Sequence, residues 1–224
     1  MSTVVALLLA DGRFPSGGHA HSGGLEPLVD AGLIRDVDNL ESFLEGRLAT
    51  VGYAASAITA AACAGNGTWS ELQAEADART VSPAQRDASR AQGRQLLRAA
   101  RAVLGRRAEA IGPSLESALP EGPHHAVVLG AVAAVAGLEP LGAARLAAYG
   151  SVAGPASAAV RLLGLDPFSV HAVLIRLAPA VESVAVEAEA MARGPLEDLP
   201  CPSAPMLDIA AERHLEMEVR LFAS

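Results

Sequence analysis

Two histidines, His19 and His21, stand between the glycine pairs Gly17-Gly18 and Gly23-Gly24 in the stretch FPSGGHAHSGGLE, residues 14–26. On a strand, His-x-His can place two imidazoles on one metal ion, and clustered glycine amides can cradle a phosphate. Neither chemistry is well supplied here. On a helix, residues two apart point about 200° apart, no cysteine or third histidine lies close by, and the glycines follow no strand pattern. The stretch reads instead as a tight bend entering a helix, with Ser22 near its cap and Leu25, Leu28 and Val29 facing inward. A bend alone, however, does not ask for Glu26 beside so many glycines.

Other groups able to do chemistry are scattered. His124 and His125 are adjacent and diverge on a helix, and His171 has Val170, Val173 and Leu174 around it, so core or capping roles are expected for all three. No Ser-His-Asp spacing or nucleophile elbow stands out. Cys63 and Cys201 form neither a disulfide framework nor a zinc module. All 17 basic residues are arginine. Without lysine there is no Walker A loop, no Schiff-base chemistry and no kinase-type phosphate-binding lysine. Net charge is −8, which disfavours a general nucleic-acid binder. Against that balance, Arg86, Arg90, Arg94, Arg98 and Arg101 form a stripe on one helix. With Arg106 and Arg107 they give residues 82–107 a net +6 against Asp87 alone. The stripe either steers an acidic partner or pairs with the chain's own carboxylates.

The elements that must position these groups are helical. Asp36 to Gly65 reads as one long helix, with Asp38 and Glu41 as its cap pair. TWSE (68–71) is a capping box, SPAQ (82–85) repeats the device with Pro83 in the first turn, and DPFSV (166–170) caps a helix running past a kink at Pro179 to Arg193. Apolar helices lie near 124–137 and 140–164, the second broken or bent at Gly154-Pro155. Residues 194–207 hold four prolines and read as a linker, followed by an amphipathic helix ending EVRLFAS. The expectation is an all-α, single-domain bundle of roughly nine helices: a core over 1–193, the linker over 194–207 and a C-terminal segment over 208–224. The alanine run 54–64 is too short to span a membrane, and no secretory leader opens the chain, which points to a cytoplasmic protein. Met206, Leu207, Ile209, Leu215, Val219, Leu221 and Phe222 make the tail unusually apolar, so it docks on its own domain or orders on a partner.

Five stretches, in order along nearly the whole chain, resemble one family, the urease accessory protein UreF. They are LLLADGRFPSGGHAHSGGLE at the start, SRAQGRQLL (89–97), HAVVLGAVAAVAGL (125–138), RLAAYGSVAGPASAAVRLLGL (145–165) and the closing APMLDIAAERHLEMEVRLFAS. The resemblance implies a dimeric all-α protein without catalytic chemistry or an intrinsic cofactor. It would sit between the scaffold UreD (also called UreH) and the GTPase UreG in a complex that delivers nickel to apo-urease. It implies scaffold contacts at Leu207, Asp208, His214, Arg220, Leu221 and Phe222, and a dimer seam at Arg145 and Tyr149. It also implies a GTPase-facing surface at Pro15, Gly17, Ser22, Glu26 and Arg94. The family usually carries an aromatic where His19 stands and often a larger side chain than Gly23, so a metal role for His19 and His21 would be peculiar to this chain. Rival readings are an all-α metal hydrolase using His19, His21 and His214, and a helical ligand-binding regulatory domain, which a large apolar cavity would favour.

Overall fold

A computed structural model describes residues 3–109 and 111–224. It is all-helical among those residues: α1 (Thr3–Ala10), α2 (Leu25–Asp30), α3 (Val37–Arg47), α4 (Tyr53–Ala64), α5 (Trp69–Ala78), α6 (Pro83–Leu104), α7 (Arg106–Glu109), α8 (Gly112–Ala118), α9 (His125–Val135), α10 (Pro140–Leu163), α11 (Pro167–Met191) and α12 (Pro205–Glu216). Several short helices, not anticipated from the sequence, raise the number above the expected nine. α11 is long and apolar enough to cross a membrane by length and composition alone. Its inner face packs Val170, Val173 and Leu177 into the protein.

The local stop and start signals act as their chemistry dictates. The Thr68 hydroxyl accepts from the Glu71 amide while Glu71 reaches back to the Thr68 amide. Ser82 accepts from the Gln85 amide, and Asp166 accepts from the amides of Phe168 and Ser169. One expected cap is corrected: Asp36, not the Asp38–Glu41 pair, caps α3 by accepting from the Asn39 amide at 2.8 Å. Asp38 lies inside the first turn, where its charge meets the positive helix end.

The long helix expected over 36–65 is continuous but not uniform. Leu48–Gly52 form a π-helical turn between α3 and α4, an insertion that redirects the side chains on either side. It brings Arg47 and Gly52 to the same place on α10. A Cβ on Gly52 would meet Ser151 Oγ at 2.6 Å, and Arg47 Nε donates to the Ser151 carbonyl at 2.9 Å. That carbonyl is free for a specific reason. Pro155 has no N–H, so the acceptor four residues earlier loses its helix partner. Arg47 replaces it, and of the two outcomes expected at Gly154-Pro155, a break or a bend, the break does not occur: α10 is continuous through Pro155.

Two apolar clusters share the centre. The first joins α4, α5, α6 and α9 around Ile58, Leu72, Leu97, Val127 and Val132. Alanines on α4 and Gly130 on α9 let these helices approach until a Cβ at 130 would lie 2.4 Å from the Thr59 carbonyl. The second joins α2, α3, α10, α11 and α12 around Leu25, Leu40, Leu44, Val152, Val173, Leu207 and Phe222. The proline-rich stretch between α11 and α12 is fastened to the body. Leu199 is buried, and the Arg79 guanidinium donates to the carbonyls of Leu196, Glu197, Leu199 and Pro200. α12 begins at Pro205, inside the expected linker, and the closing VRLFAS is not helical.

Candidate functional site

The bend before α2 and the C-terminal tail meet on one face and form a single polar and apolar junction. The opening bend uses glycines where only glycine is comfortable: Gly17, Gly23 and Gly24 all have positive φ. Gly24 is the N-cap of α2, and Ser22, two residues earlier, accepts through its Oγ from the Glu26 amide at 3.2 Å. Against this bend lies the tail. The Ala223 amide donates to the Ala20 carbonyl at 2.7 Å, and the Ser22 amide donates to the Ser224 carbonyl at 2.6 Å. His21 Nδ1 and Ser224 Oγ hydrogen-bond at 2.6 Å.

At the centre is Glu26, only 4% exposed. Its Oε1 accepts from the Leu221 amide at 2.6 Å, and its Oε2 accepts from the Phe222 amide at 3.1 Å and from His214 Nε2 at 2.8 Å. An ionised carboxylate only accepts, so His214 must carry its proton on Nε2. Three donors compensate the buried charge, and a hydrogen bond to a charged group contributes about 1.5–3 kcal/mol. Phe222 drops into the second apolar cluster, and the Arg161 guanidinium lies 4.3 Å from its ring centroid. Arg161 also donates to the His19 carbonyl at 2.8 Å, so one arginine touches both the bend and the tail.

This junction sorts the expected contact residues. Leu207, His214 and Phe222 turn inward and are buried, Asp208 is half-buried, and Arg220 and Leu221 are exposed. On the GTPase side, Pro15 and Arg94 are exposed and Gly17 is half-buried, but Ser22 and Glu26 lie beneath the tail. Both hold this chain's own C-terminal segment. Arg145 and Tyr149 stand one turn apart on the outside of α10, with Tyr149 42% exposed. Arg145 Nε donates to Glu182 Oε2 on α11 at 2.8 Å.

A second constellation was missed in the sequence because its members are far apart. His124, 2% exposed at the start of α9, places Nε2 2.9 Å from Asp77 Oδ1 and Nδ1 2.9 Å from Ser89 Oγ. The Ser89 hydroxyl also accepts from the His125 amide at 3.2 Å. Arg90 Nη2 shares Asp77 at 2.7 Å. Burial lowers the His124 pKa, partly offset by Asp77. Burial works to raise Asp77, but the His124 hydrogen bond and the His124 and Arg90 charges outweigh it and hold the carboxyl below its usual range. The order Ser-His-Asp resembles a nucleophile relay, yet Ser89 sits mid-helix where neighbouring amides are consumed by the ladder and none is left to stabilise an oxyanion. The arrangement works as a brace. One turn on, Gly93 completes it: a Cβ there would lie 2.0 Å from the Pro123 carbonyl. Ser89 and Gly93 together receive the entry to α9, which explains the Ser-x-x-x-Gly spacing.

The arginine stripe is largely consumed internally. Arg86 donates to the Thr80 carbonyl, Arg90 pairs with Asp77, Arg94 donates to the Glu121 carbonyl, and Arg101 is bidentate to Glu116. His171 is exposed rather than set among apolar residues, and its Nδ1 bonds the Pro167 carbonyl. Burial raises the Cys63 thiol to about 11, which leaves it protonated and unreactive. His19, His21 and His214 do not converge: His19 is exposed, His21 bonds Ser224 and His214 bonds Glu26. Among the described residues no three His, Cys, Asp or Glu side chains are placed to hold a metal ion.

Comparison with known proteins places this arrangement. Residues 34–178 match the UreF family. Over its full length the chain is 46% identical to the urease accessory protein UreF of Mycobacterium sp. (strain JLS), across 100% of both chains. It is 42% identical to the protein of the same name from Mycobacterium marinum, again across 100% of both. The chain belongs to the UreF family. The opening and closing signatures that suggested UreF are therefore the two halves of one junction, and the central Ser-x-x-x-Gly of this UreF-family chain is the α6–α9 brace.

Proposed function

We propose that this chain is a non-enzymatic adaptor in urease maturation. It bridges the UreD/UreH scaffold and the GTPase UreG, modulates that GTPase, and serves in a cytoplasmic complex that hands nickel, as cargo, to apo-urease. It holds no cofactor of its own and acts as a homodimer.

The observation that carries the reading is the two-faced tail. One side is clamped by Glu26, His214 and Phe222. The other leaves Met206, Ile209, Leu215, Val219 and Leu221 between 47% and 79% exposed. A clamp that holds the backbone while presenting five large apolar side chains outward is what an amphipathic docking segment requires. In support of a homodimer, the outer faces of α10 and α11 expose Tyr149, Phe168, Ile175 and Val186 beside the Arg145–Glu182 pair. Pro15 and Arg94 remain the residues offered to the GTPase.

The test is co-purification of the full chain with the scaffold and the GTPase from one source, with molar mass by light scattering. Two copies of each protein in one complex are expected. A chain that remains alone at every concentration, beside a scaffold shown to be folded, defeats the reading.

A further inference from the structure

A cavity of about 520 Å³ lies between the π-helical turn, α4, α6, α9, α10 and the tail. Its wall is mostly apolar, with Val51, Ile58, Leu129 and Leu146 contributing, and Arg47 is part of that wall. Arg47 gives one of its five donors, Nε, to the Ser151 carbonyl. Among the described residues no carboxylate or other acceptor partners the remaining guanidinium N–H groups. Nη2 lies against Gly23, where a Cβ would stand only 3.2 Å from it. Burial pushes the guanidinium down to about 10, so it still carries its charge at neutral pH.

Arg47 is half-buried at the cavity wall, and a cation with free donors at such a wall favours an anionic partner. The Ser151 carbonyl explains why a donor is needed at this place but not why it is an arginine, since a single N–H suffices there. The free side of the fork matches a planar, two-oxygen anion. Arg79 and Asp87 also line the cavity, but Arg79 is occupied by Glu75 and the Leu199 carbonyl, so Arg47 is the lining cation with free donors. A mostly apolar cavity with a few placed polar groups is the ordinary form of a small-molecule site. A metal ion fits poorly, because Arg47 repels it and no ligand cluster is present among the described residues.

We propose that the cavity binds a small amphipathic carboxylate, with its head on the Arg47 fork and its apolar body along Val51, Ile58, Leu129 and Leu146. The site is independent of the adaptor reading. His214 and Ser224 also line the cavity, so its occupant touches the segment that holds the tail.

The experiment is calorimetric titration of the full chain with straight-chain carboxylates from acetate to octanoate, with octanol as the neutral probe. Saturable 1:1 binding is expected, with affinity rising about fourfold per added methylene and octanoate binding about tenfold or more tighter than octanol. Arg47→Gln should remove the preference for octanoate over octanol. Ala55→Leu, which fills the cavity and keeps Arg47, should abolish binding of both while circular dichroism is unchanged. If Arg47→Gln does not fold, the probe pair and Ala55→Leu decide. Octanoate binding no tighter than octanol, binding indifferent to Ala55→Leu, or no saturable binding overturns the proposal.

Discussion

At the residue scale, Glu26 and Gly93 carry the most structure per atom. Replacing Glu26 by Gln removes the charge and turns an amide N–H₂ toward donors already aimed at it. The expected cost is about 2–3 kcal/mol, concentrated on the tail. Hydrogen exchange at the Leu221 and Phe222 amides should accelerate about 30-fold or more, while amides in α4 and α9 change little. Uniform exchange across the tail in both proteins contradicts this. Gly93→Ala forces a methyl against the Pro123 carbonyl and should cost about 2–4 kcal/mol by denaturant unfolding. A change under about 0.5 kcal/mol means α9 can shift freely and the brace is not rigid. The sequence flagged Glu26 as unneeded by a bend, but its partners lie up to 196 residues away. Chain spacing holds no record of such a contact. His124 was expected in a core or capping role, but its grouping with Ser89 and Asp77 was invisible for the same reason.

At the element scale, what depends on adjacent residues was legible. Thr68–Glu71, Ser82–Gln85 and Asp166–Ser169 are hydrogen bonds spanning three residues, and each was readable from type and spacing. The π-turn at 48–52 was not, because it follows from packing α3 and α4 against α10 rather than from local propensity. Pro155 suggested a break or a bend, and the remedy, Arg47, lies 104 residues earlier than the carbonyl it satisfies. The apolar residues of the tail were identified correctly, but which of them face inward depends on where α12 lies. Leu207, Ala210 and His214 share the inner face, and Met206 and Ile209 the outer. The exterior of α10 and α11 yields its own expectation. If Tyr149 lies in a homodimer seam, Tyr149→Asp places a carboxylate in a desolvated interface and should convert dimer to monomer, at a cost of about 3 kcal/mol or more. Unchanged sedimentation of a folded variant removes Tyr149 from the seam.

For the whole molecule, charge and burial combine in a pH response. Burial, aided by the nearby His21, lowers His125 from 6.5 to about 4. Burial likewise lowers His124 and His21. A histidine with a depressed folded pKa leaves the unfolded chain holding more protons in between. Its contribution is therefore intact above about pH 6.5 and lost as pH falls toward the folded value. For His125 the interval from 6.5 to about 4, at about 1.4 kcal/mol per pH unit, sets an upper bound of about 3.5 kcal/mol. Unfolding free energy should decline steadily from pH 7 to 4, and His125→Asn should flatten the decline. A flat profile in the parent protein contradicts the assignment. The strong basic stripe that breaks the −8 background is spent largely on internal acceptors. The partner surface is therefore sought in the apolar outer side of the tail.

The direct test of that claim is the affinity of the UreD/UreH scaffold for the full chain and for its Val219→Asp/Leu221→Asp variant. Both side chains are exposed, at 79% and 70%, so the variant should keep its circular dichroism and its unfolding midpoint. The account predicts binding weakened about 30-fold or more, the size of an interface hot spot. Scaffold affinity equal to that of the parent chain, with the fold intact, would contradict it.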